Sequence, residues 1–318
     1  MILPLVLFFA LITTGVSAAE LTIATFNANF LTRPTVHVKF GYPLSMRAEA
    51  DLALWTPAFR DQKFAEAAEE VAKVVASLDA DIVVLTEVGN VTDLAELNGK
   101  ITALGVTYPH NFVCQCTDSN TQQKVAVLSK LVLSNQQPSI AGVEGYFEEA
   151  DDNDSENQTG ISKGLSVRFE FAGRPVTLYG AHFVSEGNGP EADEQRIAQA
   201  SILRRYAIDH IEAGELFMVA GDLNDGRGQP AIRRVQGYDD IWPDLLQTGD
   251  TAFFANRDDW DTRWTYEYQG TRNQIDHILL GPEFLQVVKR SDIKTVIPDQ
   301  PNVAASDHRP VVVTLSTP

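Results

Sequence analysis

Cysteine is nearly absent: the 318 residues hold two, Cys114 and Cys116, one residue apart. That excludes a disulfide framework as the source of stability. Two sulfurs at this spacing supply half a tetrahedral shell, and no histidine-rich partner follows, so they do not make a zinc site alone. They read as a local redox-labile pair or as two thiols in a loop. Basic residues are scarce too, 25 lysines and arginines against 43 aspartates and glutamates, for a formal charge of −18. Coating of nucleic acid or anionic membrane by net charge needs the opposite balance, although screening beyond ~8 Å leaves room for a local basic patch. The N-terminal apolar run, Ile2 to Ile12, falls short of the ~20 residues of a membrane anchor. It lies in a first 19 residues without a charged side chain, and Val16, Ser17 and Ala18 offer the small residues of a cleavage site. Residues 1–19 are expected to be a signal peptide and 20–318 a single domain, secreted or periplasmic, with no stable membrane anchor. There is no internal repeat and no Pro- or Ser-rich linker.

What is present is core material: 44% of the residues are hydrophobic and 21% charged, which excludes a disordered or fibrous chain. Leu21 to Phe26 reads as a strand. Phe64, Ala67, Ala68, Val71, Val74, Val75 and Leu78 recur at helical spacing and predict a helix over 62–78, with a buried strand at Ile82 to Thr86 behind it. A second helix is expected from Pro190 to a stop at Gly214, followed by a strand at Leu216 to Ala220. Val125 to Leu133, Gly164 to Phe171, Val176 to Phe183, Ile275 to Leu280 and Pro310 to Leu315 are β-like, several without a helix between them. That succession favours mixed or antiparallel sheets over a βαβ repeat. The acidic stretch Glu148 to Glu156 lacks the glycine and terminal glutamate of a calcium loop and reads as a solvated loop. Asn90, Asn153 and Asn157 begin glycosylation sequons.

Polar residues fall where the apolar strands end. Asn27 follows Leu-Thr-Ile-Ala-Thr-Phe, and Glu87 follows Ile-Val-Val-Leu-Thr. His182 sits in Leu-Tyr-Gly-Ala-His-Phe, and Asp222 and Asn224 follow Phe-Met-Val-Ala-Gly. Asp276 lies in Gln-Ile-Asp-His-Ile-Leu-Leu, and Asp307-His308 precede Arg-Pro-Val-Val-Val. Each alone has an ordinary reading as a turn, a cap or a paired strand-end group. Together they ask for a shared site, because a buried ionisable group is unfavourable by several kcal/mol unless it is paired or metal-bound.

This order of motifs resembles the endonuclease/exonuclease/phosphatase superfamily, which includes type I deoxyribonucleases, apurinic endonucleases, neutral sphingomyelinases and inositol polyphosphate 5-phosphatases. The resemblance runs from Leu21 to Leu315. It implies an α+β fold, a four-layer α/β sandwich of two mixed, mostly antiparallel sheets flanked by helices, with residues 20–318 the catalytic domain. It also implies a metal-dependent hydrolase acting on phosphoesters. By motif, Asn27, Glu87 and Asp307 would hold Mg²⁺ or Mn²⁺, whose hard character suits oxygen ligands. Asp222 of Gly221-Asp222-Leu223-Asn224 would orient or deprotonate the attacking water, with Asn224 positioning it or donating to the phosphate. Asp276 would orient His308 of Ser306-Asp307-His308, and His182 would donate to the phosphate or the leaving oxygen. His277, next along the strand, would face away. Lys124, Arg196 and Arg272 are candidate substrate-binding cations. Asn29 stands where some members carry Asp, which weakens a metal contact there. His182, absent from apurinic endonucleases, favours the other branches.

The expected substrate is a phosphodiester of nucleic acid. The alternatives are a lipid or small phosphate, as in a sphingomyelinase or an inositol-phosphate phosphatase, and a catalytically dead binding module on the same fold. No protein partner is expected. The loops that would set specificity, Leu31 to Asp61, Gly142 to Lys163 and Gln247 to Gly270, show no decisive code. The aromatic cluster Trp260, Trp264, Tyr266 and Tyr268 reads equally as core strand or as a stacking or lipid contact.

Overall fold

The computed structural model describes residues 19–46, 53–145, 158–188, 191–237, 246–247, 263–299 and 303–318. The signal-peptide segment up to residue 18, the acidic stretch 148–156, Asn153, Asn157, Pro190 and Trp260 lie outside them.

Strand β1 (Glu20–Leu31) shows how alternation builds layers. Leu21 and Ile23 turn to a core shared by two sheets, whereas Ala24, Phe26 and Ala28 turn to a helical layer. The strand β2 (Ile82–Val88) splits in the same way, with Ile82 and Val84 inward and Val83 and Leu85 toward the helices. Helix α1 (Pro57–Leu78) supplies that layer with Phe64, Ala68, Val71 and Val75. It starts five residues earlier than its apolar spacing predicts, because Thr56 caps it through Phe59 N and Pro57 opens its first turn. Helix α2 (Val91–Ala103) lies beside it, capped by Asn90, whose Oδ1 accepts from Thr92 N and Asp93 N.

The first sheet adds β3 (His110–Val113) and β4 (Lys124–Ser129) at one edge, and β11 (Ile293–Val296) and β12 (Val311–Ser316) at the other. The second sheet holds β5 (Ser134–Gln137), β6 (Gly164–Phe171), β7 (Arg174–His182), β8 (Leu216–Asp222), β10 (Asp276–Leu280) and, at its edge, the two-residue β9 (Leu246–Gln247). Leu216, Met218 and Ala220 of β8 meet the first sheet, while Phe217 and Val219 face α3 (Glu191–Ala213) and α4 (Pro230–Gln236). The result is four layers: helices, sheet, sheet, helices.

Two pairings are parallel, β1 with β2 and β7 with β8, and the others in the two sheets are antiparallel. A parallel pair needs a long return path, and α1 and α3 are those paths. The carboxyl ends of all four parallel strands therefore open at one edge of the sandwich, where Asn27, Glu87, His182 and Asp222 sit. Cys114 and Cys116 are joined by a disulfide, and Cys114 Sγ accepts from Val125 N in β4. Among the described residues, no helix is long and apolar enough to cross a membrane.

Candidate active site

The ends of β1 and β2 are shaped by left-handed backbone. Asn29 and Phe30 both have φ of 48°, and Glu87 has φ of 58°, a region costly for side chains with a Cβ. The kink at 29–30 aims Phe30 N at Glu87 Oε2, 2.8 Å away. Asn27 Oδ1 accepts from Asn29 N at 2.8 Å, so its Nδ2 is left to donate to Glu87 Oε1 at 3.1 Å and to Asp222 Oδ2 at 2.8 Å. Asn27 thus bridges two carboxylates as a donor, where the sequence reading has it as an oxygen ligand.

From the second sheet, Asp222 lies opposite both His182 and Asp276 in register. Its Oδ1 accepts from Asn224 N at 2.9 Å, and Asn224, at φ of 51°, spends its own Nδ2 on Phe183 O at 3.1 Å. Burial raises the Asp222 carboxyl to about 7, and the nearby Asp276 charge adds to it. His182 Nε2 stands 3.8 Å from both Glu87 Oε1 and Asp222 Oδ2. Burial, together with the positive charges of Lys163 and His308, holds this imidazole well below its usual range, so it is neutral. His308 behaves oppositely. Burial alone would depress it, but Asp276 Oδ2 sits 2.8 Å from its Nδ1 and raises it to about 10. His308 also stacks on Tyr266, with centroids 4.8 Å apart. His277 points to the other face, where its Nε2 meets Asp225 O at 2.8 Å.

A cleft of about 1050 Å³ opens above these groups, lined by Glu87, His182, Asp222, Asn224, Asp307 and His308 among others. Lys124, Arg196 and Arg272 are not among its lining residues. Lys124 reaches Cys116 O at 3.5 Å, and buried Arg196 pairs with Asp193 and reaches Val184 O at 3.4 Å. Arg272 pairs with Glu267 at 2.7 Å and lies over the Trp264 ring. The described lining contains one lysine or arginine, Lys163, which donates to Gln123 Oε1 at 3.2 Å with Asp118 3.8 Å away. Sequence reasoning passed over it; its only signal was a lysine just ahead of a buried strand.

The donor set fits a hard cation. Ligand atoms of Glu87, His182 and Asp222 converge within 4.8 Å of one another, and His182 Nδ1 and Asp276 Oδ1 are buried without a hydrogen-bond partner among the described residues. A second convergence, Asp222, Asp276 and His308, holds the ion pair described above. Asp307, the third expected ligand, is exposed on the cleft and belongs to neither group.

Solved structures share this architecture at low sequence identity. A truncated TDP2 from Caenorhabditis elegans superposes with a TM-score of 0.56 and 17% identity, over 93% of this chain and 97% of that one. An endonuclease/exonuclease/phosphatase from Bacteroides vulgatus does so at 0.58 and 17%, over 94% and 100%. A beta toxin from Staphylococcus aureus does so at 0.54 and 15%, over 92% and 99%. No curated protein matches the chain by sequence. The family model for the Endonuclease/Exonuclease/phosphatase family matches residues 24–308, which takes in every motif from Asn27 to His308. The chain belongs to that family, whose members are generally phosphoester-hydrolysing enzymes that use divalent metals.

Proposed function

We propose that the protein hydrolyses a phosphodiester of nucleic acid with Mg²⁺ or Mn²⁺. The observation that carries this reading is Asp222, a buried carboxylate fixed by Asn27 and Asn224 between a neutral histidine and a charged one. Its position suits a base that aligns water and takes its proton. His308, protonated through neutrality by Asp276, stabilises the negative charge that builds on the phosphoryl oxygens. Neutral His182 donates an N–H to the phosphate or the leaving oxygen. Glu87 and Asp307 on the cleft would hold the cation, with Asn27 keeping Glu87 in place; when bound, the cation withdraws electron density from a phosphate oxygen. Lys163, whose carbonyl accepts from His182 N at 2.9 Å, would meet the phosphate charge beside that histidine.

The test is nicking of supercoiled plasmid with Mg²⁺ or Mn²⁺, beside EDTA and Asp222→Ala controls. Nicking lost in both controls supports the reading. An intact plasmid in every lane removes nucleic acid as the substrate. One observation favours a second reading, a small or lipid phosphodiester with a cationic head: among the described residues, Glu87, Asp118, Glu186, Asp222 and Asp307 line the cleft against one lysine, Lys163. Sphingomyelin, whose head carries a quaternary ammonium, is the assay for it, and the polyanionic inositol phosphates are the contrast. A binding-only module is disfavoured because every motif residue is retained. The proposal includes export with cleavage after residue 18 or 19, leaving one catalytic domain; N-terminal sequencing of the exported protein checks it.

A further inference from the structure

The loop after β1 carries a lysine that the proposed chemistry does not use. Residues Val36–Lys39 form one helical turn whose Val36 and His37 are buried. The segment around it is pinned from outside. Arg60 donates to Pro34 O at 2.9 Å and to Trp55 O at 3.0 Å, and Arg33 pairs with Asp61, Asp93 and Glu96. Lys39 then points inward, and its Nζ donates to three carbonyls: Ala28 O at 2.9 Å, Asn29 O at 3.1 Å and Ala305 O at 2.6 Å.

An ammonium has three N–H donors and no acceptor, so three converging carbonyls saturate it. Their source is informative. Ala28 and Asn29 directly follow Asn27, and the left-handed pair Asn29 and Phe30 that turns Phe30 N onto Glu87 also carries the Asn29 carbonyl. Ala305 directly precedes Ser306, Asp307 and His308. Ser306 Oγ makes a parallel tie, donating to Asn27 O at 2.7 Å. Carbonyl oxygens brought together from two segments repel one another unless a positive group sits between them.

We infer that Lys39 is a positioning residue that fastens the 305–308 segment to the exit of β1, and so fixes Asp307 relative to Glu87. The inference rests on the proposed reading of Glu87 and Asp307 as the cation's oxygen ligands. Removing a group that holds ligands in place typically weakens metal affinity or activity ~10–100-fold, and a shift of about 1 Å is enough to matter.

The experiment uses the purified mature protein, residues 20–318, as wild type, Lys39→Ala, Lys39→Arg and Glu87→Gln. Mn²⁺ affinity is read by calorimetry, and backbone hydrogen exchange over residues 303–309 by mass spectrometry. Lys39→Ala is expected to weaken Mn²⁺ binding at least about tenfold and to speed exchange in that segment. Added methylammonium, which can fill the vacated position, is expected to restore both. Lys39→Arg keeps the charge but presents a planar fork, and it is expected to lose affinity as well; it decides the matter if the alanine variant does not fold. Unchanged exchange in the folded variants overturns the inference, as does Mn²⁺ binding that stays equal or becomes tighter once the ammonium is gone. Unchanged Mn²⁺ binding in Glu87→Gln instead overturns the metal-site reading, and hydrogen exchange alone then judges the clamp.

Discussion

Asp222 and His308 are neighbours whose proton affinities are displaced for opposite reasons, and each displacement has a sign in stability. The folded Asp222 carboxyl, at about 7, binds its proton more tightly than an unfolded aspartate at 3.8. Between those values the unfolded chain releases the proton first, so this group withdraws stability as pH rises from ~4 to ~7. Metal-free Asp222→Asn should therefore melt at higher temperature than wild type at pH 8, with the gap closing toward pH 4. The same variant should lose ~10²–10⁴-fold in turnover, as for a missing general base. His308 is the converse case: raised from 6.5 to about 10, it contributes stability fully below pH 6.5 and loses it as pH climbs through 10. His308→Gln should be less stable than wild type at pH 6, and the difference should shrink by pH 10 in thermal melts. These roles were legible in sequence as far as identity, because ionisable residues closing apolar strands ask for partners. Partner choice was not legible: only folding shows that Asn27 donates to both carboxylates, or that Lys163 is the lysine brought onto the cleft.

At the level of strands and helices, the two parallel pairs set the site, and Gly221 is where they tolerate least. It lies at φ of 147°, and a Cβ there would run into the carbonyl of Ala181 on the neighbouring strand. Gly221→Ala must push β8 from β7 next to Asp222 and His182, which are paired in register. Denaturant titration should show a loss of ~1–3 kcal/mol, as for overpacking elsewhere, and turnover should fall further than stability explains. Strands that alternate, such as Gly164–Phe171, or run continuously apolar, such as Leu216–Asp222, are readable from the chain. Helix α2 is less so. Leu94, Leu97 and Ile101 have helical spacing, but Gly99, Thr92 and Thr102 dilute the pattern, and its cap Asn90 also reads as a sequon. The short β3 and β5 carry mostly partly or fully exposed residues, and their pairing comes from neighbouring strands rather than from any pattern of their own.

Across the whole molecule, a charge of −18 and a carboxylate-rich cleft give the substrate assay a distinctive salt response. Basic nucleic-acid binders lose affinity steeply as salt rises, because they release counterions. Here kcat/KM on DNA should stay flat or rise between ~20 and ~150 mM NaCl as repulsion is screened, whereas a zwitterionic phosphodiester should show little change; initial rates across a salt series read this directly. The number of layers came only with the family resemblance that the motifs carry, while the opening of the parallel strands at one edge follows from the crossover paths through α1 and α3. The last feature of consequence is that β12, directly behind His308, pairs with β1 at the other end of the chain. Asn27 and Glu87 emerge early from the ribosome, but the ion pair on Asp276 and the clamp on Ala305 form only when the closing strand arrives. The candidate site is thereby incomplete in any shorter nascent chain, since Asn27 and Glu87 meet Asp307 and His308 only once β12 has been made and has paired with β1.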